Sequence, residues 1–246
     1  MAASATDGPA ARTVRHDGWG ELVLARPQRR NALIGPMVDD LRAGLAELLA
    51  GGVRAILLRG DGGCFCSGLD VDAFAADPAP AWRAGWAEAW LAFHRELYAC
   101  PAVIVGALER FAINGGSSLA LACDLLVAGE GSYLLVGEAA IGMHAPMNIA
   151  WLRLRANEAI AAQLLFGAGR VPAADLQRFG LAHRVVADDA ALTEAQALTA
   201  KLAGYRGRAL AAIKLSLRRA IPEGGDIFTA AQAAGFVSAG PARVGR

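Results

Sequence analysis

Apolar positions along the chain recur with two periods, one near two residues and one near 3.6, and the switches between them mark the elements. Residues 1–11 are small and polar and are expected to be disordered. Arg12–His16 and Glu21–Ala25 flank Asp17-Gly18-Trp19-Gly20, a hairpin signal that Arg26-Pro27 closes. From Pro36 to Ala50, Met37, Val38, Leu41, Leu45, Leu48 and Leu49 share one helical face. Val53–Leu58 and Pro101–Leu108 are short continuous apolar runs, the pattern of buried parallel strands. Between them, Trp82–Ala99 reads as an amphipathic helix whose Trp82, Trp86, Trp90, Phe93 and Leu97 form a core stripe. A short helix follows Gly115, and a strand follows at Leu125–Ala128. Helical patterns then dominate: Asn157–Phe166, Pro172–Phe179, Asp189–Leu202 and Arg208–Ala220, with a late strand at Leu181–Val186.

Strands alternating with helices predict an α/β fold with a mostly parallel sheet. The expected organisation is a disordered segment over 1–11, an α/β core over 12–190 and a C-terminal helical region over 191–246, serving as a lid or for oligomer contacts. Hydrophobic residues make up 55% of the 246 and glycine contributes 29, which adds tight helix packing and a buried subunit interface to the expectation. A net charge of +1 gives no global field for nucleic acid. No apolar run reaches the ~18 residues of a membrane span, and no signal core is present, so a cytoplasmic protein is expected. Cys64, Cys66, Cys100 and Cys123 form no CxxC pairs and read as reduced, buried thiols. Neither HExxH, a Walker loop nor a dinucleotide fingerprint occurs, so no metal or nicotinamide is implied.

The chemistry concentrates between Ala112 and Glu138. Gly115-Gly116 opens a short apolar helix, an Ala-Cys-Asp junction ends it, and the chain returns with one isolated carboxylate, Glu138. Backbone amides at a helix start favour negative charge, and an acid beside them can move a proton. Asp124 at the junction is read as fixing the helix-to-strand corner, and Asp70 as a helix N-cap.

Several blocks in order carry a family resemblance. RPQRRNAL at 26–33 resembles the RPxxxNAL signature of the crotonase (enoyl-CoA hydratase/isomerase) superfamily. CFCSGLDVDAF at 64–74 resembles its first oxyanion segment, and PAVIVGALERFAINGGSSLALACD at 101–124 resembles its glycine-rich second block. LLVGEAAIG at 134–142 resembles FGxPExxLG, and GRALAAIKLSLRRA at 207–220 resembles the late ALAxxK helix. The resemblance implies a crotonase-like spiral of ββα units with a C-terminal helical region, assembled as a homotrimer or dimer of trimers. It implies an acyl-CoA thioester as substrate and no separate cofactor, coenzyme A being part of the substrate. The N–H groups of Leu69 and Gly115 would form the oxyanion hole and Glu138 would be the catalytic acid. Ser67, Gly68, Asp70, Val71, Gly116, Ser118 and Arg26 are the implied substrate-binding positions, with Arg29 and Arg30 beside Arg26 where CoA phosphates pass.

Three departures shape the functional expectation. Family hydratases carry two glutamates; here Ser118 takes the first position and Glu138, 20 residues on, takes the second. Asn114 replaces the first glycine of GGG, and Gly137 replaces the proline before Glu138. Adding water across a conjugated double bond suits two carboxylates, whereas moving a double bond needs one group that takes a proton and returns it. The expectation is therefore enoyl-CoA isomerisation through Glu138, with enoyl-CoA hydration or non-catalytic acyl-CoA binding as alternatives. A serine hydrolase using Ser117 or Ser118 lacks GxSxG and an evident histidine partner. HAPMNIAWLRL at 144–154 replaces a glycine-rich family stretch, which implies a remodelled acyl pocket. Phe236 and Arg243 are candidates for the CoA 3′-phosphate.

Overall fold

The computed structural model describes residues 8–206 and 208–218. The chain opens with β1 (Ala11–Arg15) and β2 (Trp19–Leu24), an antiparallel hairpin with Ala11 opposite Leu24. Helix α1 (Gly35–Ala50) crosses to β3 (Ala55–Gly60), which pairs parallel with β2. A four-residue α2 (Val71–Phe74) and the long α3 (Trp86–Ala99) lead to β4 (Val103–Leu108). Next come β5 (Phe111–Ile113), α4 (Gly115–Ala122), β6 (Leu125–Gly129) and β7 (Tyr133–Leu135). The chain continues through α5 (Pro146–Arg155), α6 (Glu158–Gly167), β8 (Arg170–Pro172), α7 (Ala173–Arg178), β9 (Arg184–Val186), α8 (Ala191–Ala203) and α9 (Ala209–Arg218).

The main sheet has the order β1-β2-β3-β4-β6-β9 and is parallel except for β1. Its inner strands β2, β3, β4 and β6 are buried on both faces, which explains the apolar runs of β3 and β4. Alternate residues divide between two cores. Ile56, Leu58 and Ile104 join Leu41, Phe93 and Leu119 on one side, while Ala55, Leu57, Val103 and Val105 meet Ala195 and Leu202 of α8 on the other. A second sheet, β5-β7-β8, carries β5 just before α4 and β7 just before the Glu138 turn. The α/β class and the parallel order follow the expectation from periodicity.

Four boundaries differ from it. Ala10 and Ala11 are buried, and both amides donate to Asp40 Oδ2 (2.7 and 3.1 Å), so order begins before residue 12. The expected helix over 82–99 breaks at Gly85; Ala81–Arg83 is a separate 3-10 turn. The division at 190/191 falls through one unit, because α8 covers a face of the main sheet rather than forming a lid. The stretch at 144–154, for which the sequence suggests no element, is mostly α5, started by Pro146 in its first turn. Residues 219–246, with Phe236 and Arg243, lie outside the described residues, as do residues 1–7.

Candidate active site

The two chain segments that carry the implied oxyanion amides run side by side. Cys66 pairs with Ala112 and Leu69 with Leu33, as isolated parallel bridges. Leu33 N–H donates to Gly68 O (2.8 Å) and Asp70 N–H to Leu33 O (2.9 Å). Strand alternation therefore turns the N–H of Leu69 to the opposite side. Gly68 holds φ +87°, and a Cβ there would lie 2.8 Å from Ile113 O, so only glycine lets these backbones approach. Gly115 is the first residue of α4, and its N–H has no acceptor within the helix. Gly116 packs directly on Cys66: a Cβ would stand 2.6 Å from Cys66 O.

Asn114 introduces this helix with φ 50° and ψ −111°, a conformation that an L side chain adopts at a cost. Four hydrogen bonds hold it. Its N–H donates to Leu135 O (2.8 Å), and its Oδ1 accepts from Gly137 N–H (2.8 Å). Its carbonyl accepts from Ser118 N–H (3.2 Å) and from Asn148 Nδ2 (3.1 Å). The first-glycine position of the family is thus filled by a side chain that fastens the oxyanion turn to the Gly137–Glu138 turn.

Glu138 opens a 3-10 turn, Glu138–Ile141, and is 9% exposed. Burial pushes its carboxyl above the usual carboxylate range; its own backbone amide and Asn148 partly oppose that rise. Oε1 accepts from Asn148 Nδ2 at 2.9 Å, and Oε2 is buried with no partner among the described residues. A buried carboxylate with one oxygen held and one bare is chemically suited to taking up and returning a proton.

Ser118 is fully buried and points away from that carboxylate's role. Its hydroxyl donates to Gly115 O (2.7 Å) and lies 3.2 Å from His94 Nε2. His94 Nδ1 accepts from Trp151 Nε1 (2.9 Å). Indole only donates, so Nδ1 is the unprotonated nitrogen and Nε2–H of the neutral ring donates to Ser118. Burial lowers the His94 pKa to about 3, which keeps the ring neutral. The relay runs Trp151 to His94 to Ser118 to Gly115 with every hydrogen directed. His94 therefore cannot take a proton from Ser118, and no hydrolase dyad exists there. Ser118, implied above as a substrate contact, is a structural hydroxyl behind the oxyanion turn.

Ser67, Leu69, Asp70 and Val71 line a groove of about 390 Å³ together with Gln28, Arg29, Arg30 and Ile113. Arg26 departs from the expectation of a phosphate contact. It is buried, donating to Asp70 Oδ2 (2.9 Å) and to Ala32 O (2.5 Å). Burial alone would raise Asp70, but hydrogen bonds from Arg29, the Ala73 amide and Arg26 hold it at about 2. Asp70 also caps α2 through Ala73 N–H at 3.1 Å. Arg29 and Arg30 are the exposed cations at the groove.

Asp124 fixes the helix-to-strand corner through Ile104, exchanging bonds of 2.8 and 2.7 Å. All four cysteines are buried thiols, with Cys66 and Cys123 pushed up to about 12 by burial. Among the described residues no cluster of His, Cys, Asp or Glu could hold a metal, and no helix is long and apolar enough to cross a membrane. Sequence reasoning missed Asn148 and the role of His94. The signal available was the loss of the family's glycines at 144–154, but nothing in that string shows which side chain turns inward.

A mostly parallel sheet, with a small second sheet leading into the Gly115 helix and the Glu138 turn, matches the crotonase class of enzymes. The profile of the enoyl-CoA hydratase/isomerase family matches residues 15–238. A Mycobacterium tuberculosis protein assigned as an enoyl-CoA hydratase, echA6, is 32% identical over 183 residues, covering 73% of this chain and 70% of the relative. An enoyl-CoA hydratase/isomerase of Xanthobacter autotrophicus Py2 superposes with a TM-score of 0.81 at 28% identity, over 92% of this chain and 84% of the other. A Thermobifida fusca YX relative assigned as an enoyl-CoA hydratase, solved in complex with CoA, gives 0.76 at 28% identity over 92% of both chains. The chain belongs to the enoyl-CoA hydratase/isomerase family.

Proposed function

We propose that the protein binds an enoyl-CoA thioester and moves its double bond between the β,γ and α,β positions. Glu138 takes the α proton from a β,γ-unsaturated ester through Oε2 and returns it at the γ carbon. The N–H groups of Leu69 and Gly115 stabilise the enolate oxygen that forms between the two transfers. The observation that carries this reading is that one buried carboxylate serves the site, while the other family acid position holds Ser118, locked in the relay with His94. The polar groove at Arg29 and Arg30 suits the phosphates of CoA, and the CoA-bound Thermobifida fusca relative is in keeping with that ligand. A homotrimer or dimer of trimers, in the cytoplasm, goes with the same reading.

A second reading, water addition to a 2-enoyl-CoA, is favoured by the hydratase assignment of the similar Mycobacterium tuberculosis protein. Parallel assays of 3-enoyl-CoA and 2-enoyl-CoA separate the two. Gain of conjugation from the first supports isomerisation, and loss of conjugation from the second supports hydration. Tight binding without either points to a binding protein. Glu138→Gln should lower kcat by about 100-fold or more while CoA-ester binding persists; retained turnover overturns the role of Glu138.

A further inference from the structure

Asn148 is 2% exposed, on the inward face of α5 among Met147, Ala150 and Trp151. An amide there is costly: its Oδ1 is buried and has no partner among the described residues. Its two N–H hydrogens are both used. One goes to Asn114 O (3.1 Å) and the other to Glu138 Oε1 (2.9 Å). A carbonyl and a carboxylate only accept, so the amide cannot be turned over without setting oxygen against oxygen. Asn114 O belongs to the same peptide unit as the Gly115 N–H. One side chain thus touches both halves of the reaction machinery.

We infer that Asn148 is a positioning residue that couples the proton-carrying carboxylate to the oxyanion-stabilising peptide. By occupying Oε1 it fixes the carboxylate plane and leaves Oε2 to exchange the proton. By bonding Asn114 O it restrains the strained turn and strengthens the Gly115 N–H as a donor, since a peptide whose carbonyl is engaged polarises its own N–H. As charge builds on the thioester oxygen, Asn114 O becomes the better acceptor for the same amide that steadies Glu138. This inference rests on the proposed role of Glu138. Among the groups that shift the Glu138 carboxyl, Asn148 and its own backbone amide lower its pKa against burial, and no charged side chain contributes.

The test uses the full-length chain and the exchange of 3-enoyl-CoA α hydrogens with D2O, alongside double-bond migration. Asn148→Leu, similar in size and fully apolar, should lower kcat by roughly tenfold to 100-fold, less than direct loss of an oxyanion donor. KM should stay near its original value, and the acid limb of the kcat/KM profile should move to higher pH. Thermal stability should fall, because Glu138 Oε1 loses its side-chain donor and Asn114 O loses one of its two donors. Asn148→Asp serves if the leucine variant does not fold: an adjacent carboxyl raises Glu138 further, and a larger displacement of the acid limb is expected. An unmoved acid limb and unchanged kcat in the folded variants overturn the inference, as does a change confined to KM. Glu138→Gln run in parallel separates the two levels. If it remains active, the reading of Glu138 fails; if it is inactive while the Asn148 variants behave as the original, only the positioning role fails.

Discussion

At the level of single residues, the site combines a carboxylate that dislikes its surroundings with a hydroxyl that is content in them. The raised pKa of Glu138 has a calculable sign. The unfolded chain releases this proton at lower pH than the folded one, so folding stability falls as pH rises through the ordinary carboxylate range towards the folded pKa. Glu138→Gln should therefore melt at a higher temperature than the original protein near neutrality, the difference vanishing in acid where both carry no charge. Melting curves across pH read this directly. Ser118→Ala removes the hydroxyl that bonds both His94 Nε2 and Gly115 O. It should cost about 1–3 kcal/mol by denaturant titration while kcat stays within roughly tenfold. A larger loss of kcat would give the hydroxyl a chemical role. Glu138, Gly115 and Leu69 stand out in the sequence as candidates because a motif points to them one by one. Asn148 was not, because its importance arises from which face of α5 turns inward.

Elements show a different balance. Asp124 joins β6 to α4 and also receives α9, with Lys214 Nζ 2.7 Å and Arg218 Nη2 2.9 Å away, and the end of α5, with Arg155 Nη2 at 3.6 Å. One carboxylate thus serves three partly buried cations. Asp124→Ala should destabilise the fold by about 3–5 kcal/mol, the range for removing one partner of a buried ion pair, and α9 should lose its hydrogen-exchange protection first. The corner role of Asp124 was readable from ACD ending a helix. Its second role was not, since it depends on contacts with residues about 90 positions later. The tryptophan stripe was also readable as a stripe, but its division at Gly85 was not. There, Trp82 lies on a 3-10 turn and covers Gly35, where a Cβ would approach Trp82 Cβ to 2.4 Å. Packing of that turn on the start of α1 overrides the helical period.

For the whole molecule, the parallel sheet was legible because its central strands β3 and β4 are sheltered on both faces and read as apolar runs. Periodicity missed the small second sheet, whose strands are only three residues long, too short for any period to show. Acid stability is a property of the whole chain with one prominent contributor. His94 falls from the ordinary 6.5 to about 3 on burial, so the unfolded state gains a proton that the folded state refuses. Stability from this group is complete above pH 6.5 and is lost as pH falls towards about 3. A His94→Gln variant that folds should show a flatter decline of melting temperature over that interval.

The relay behind the oxyanion turn also constrains the history open to this sequence. A glutamate at 118, the family's missing acid, would drive a carboxylate into space filled by an imidazole whose other nitrogen is already claimed by Trp151. A Ser118→Glu change therefore calls for a change at position 94 as well, which removes the acceptor of the Trp151 Nε1 bond.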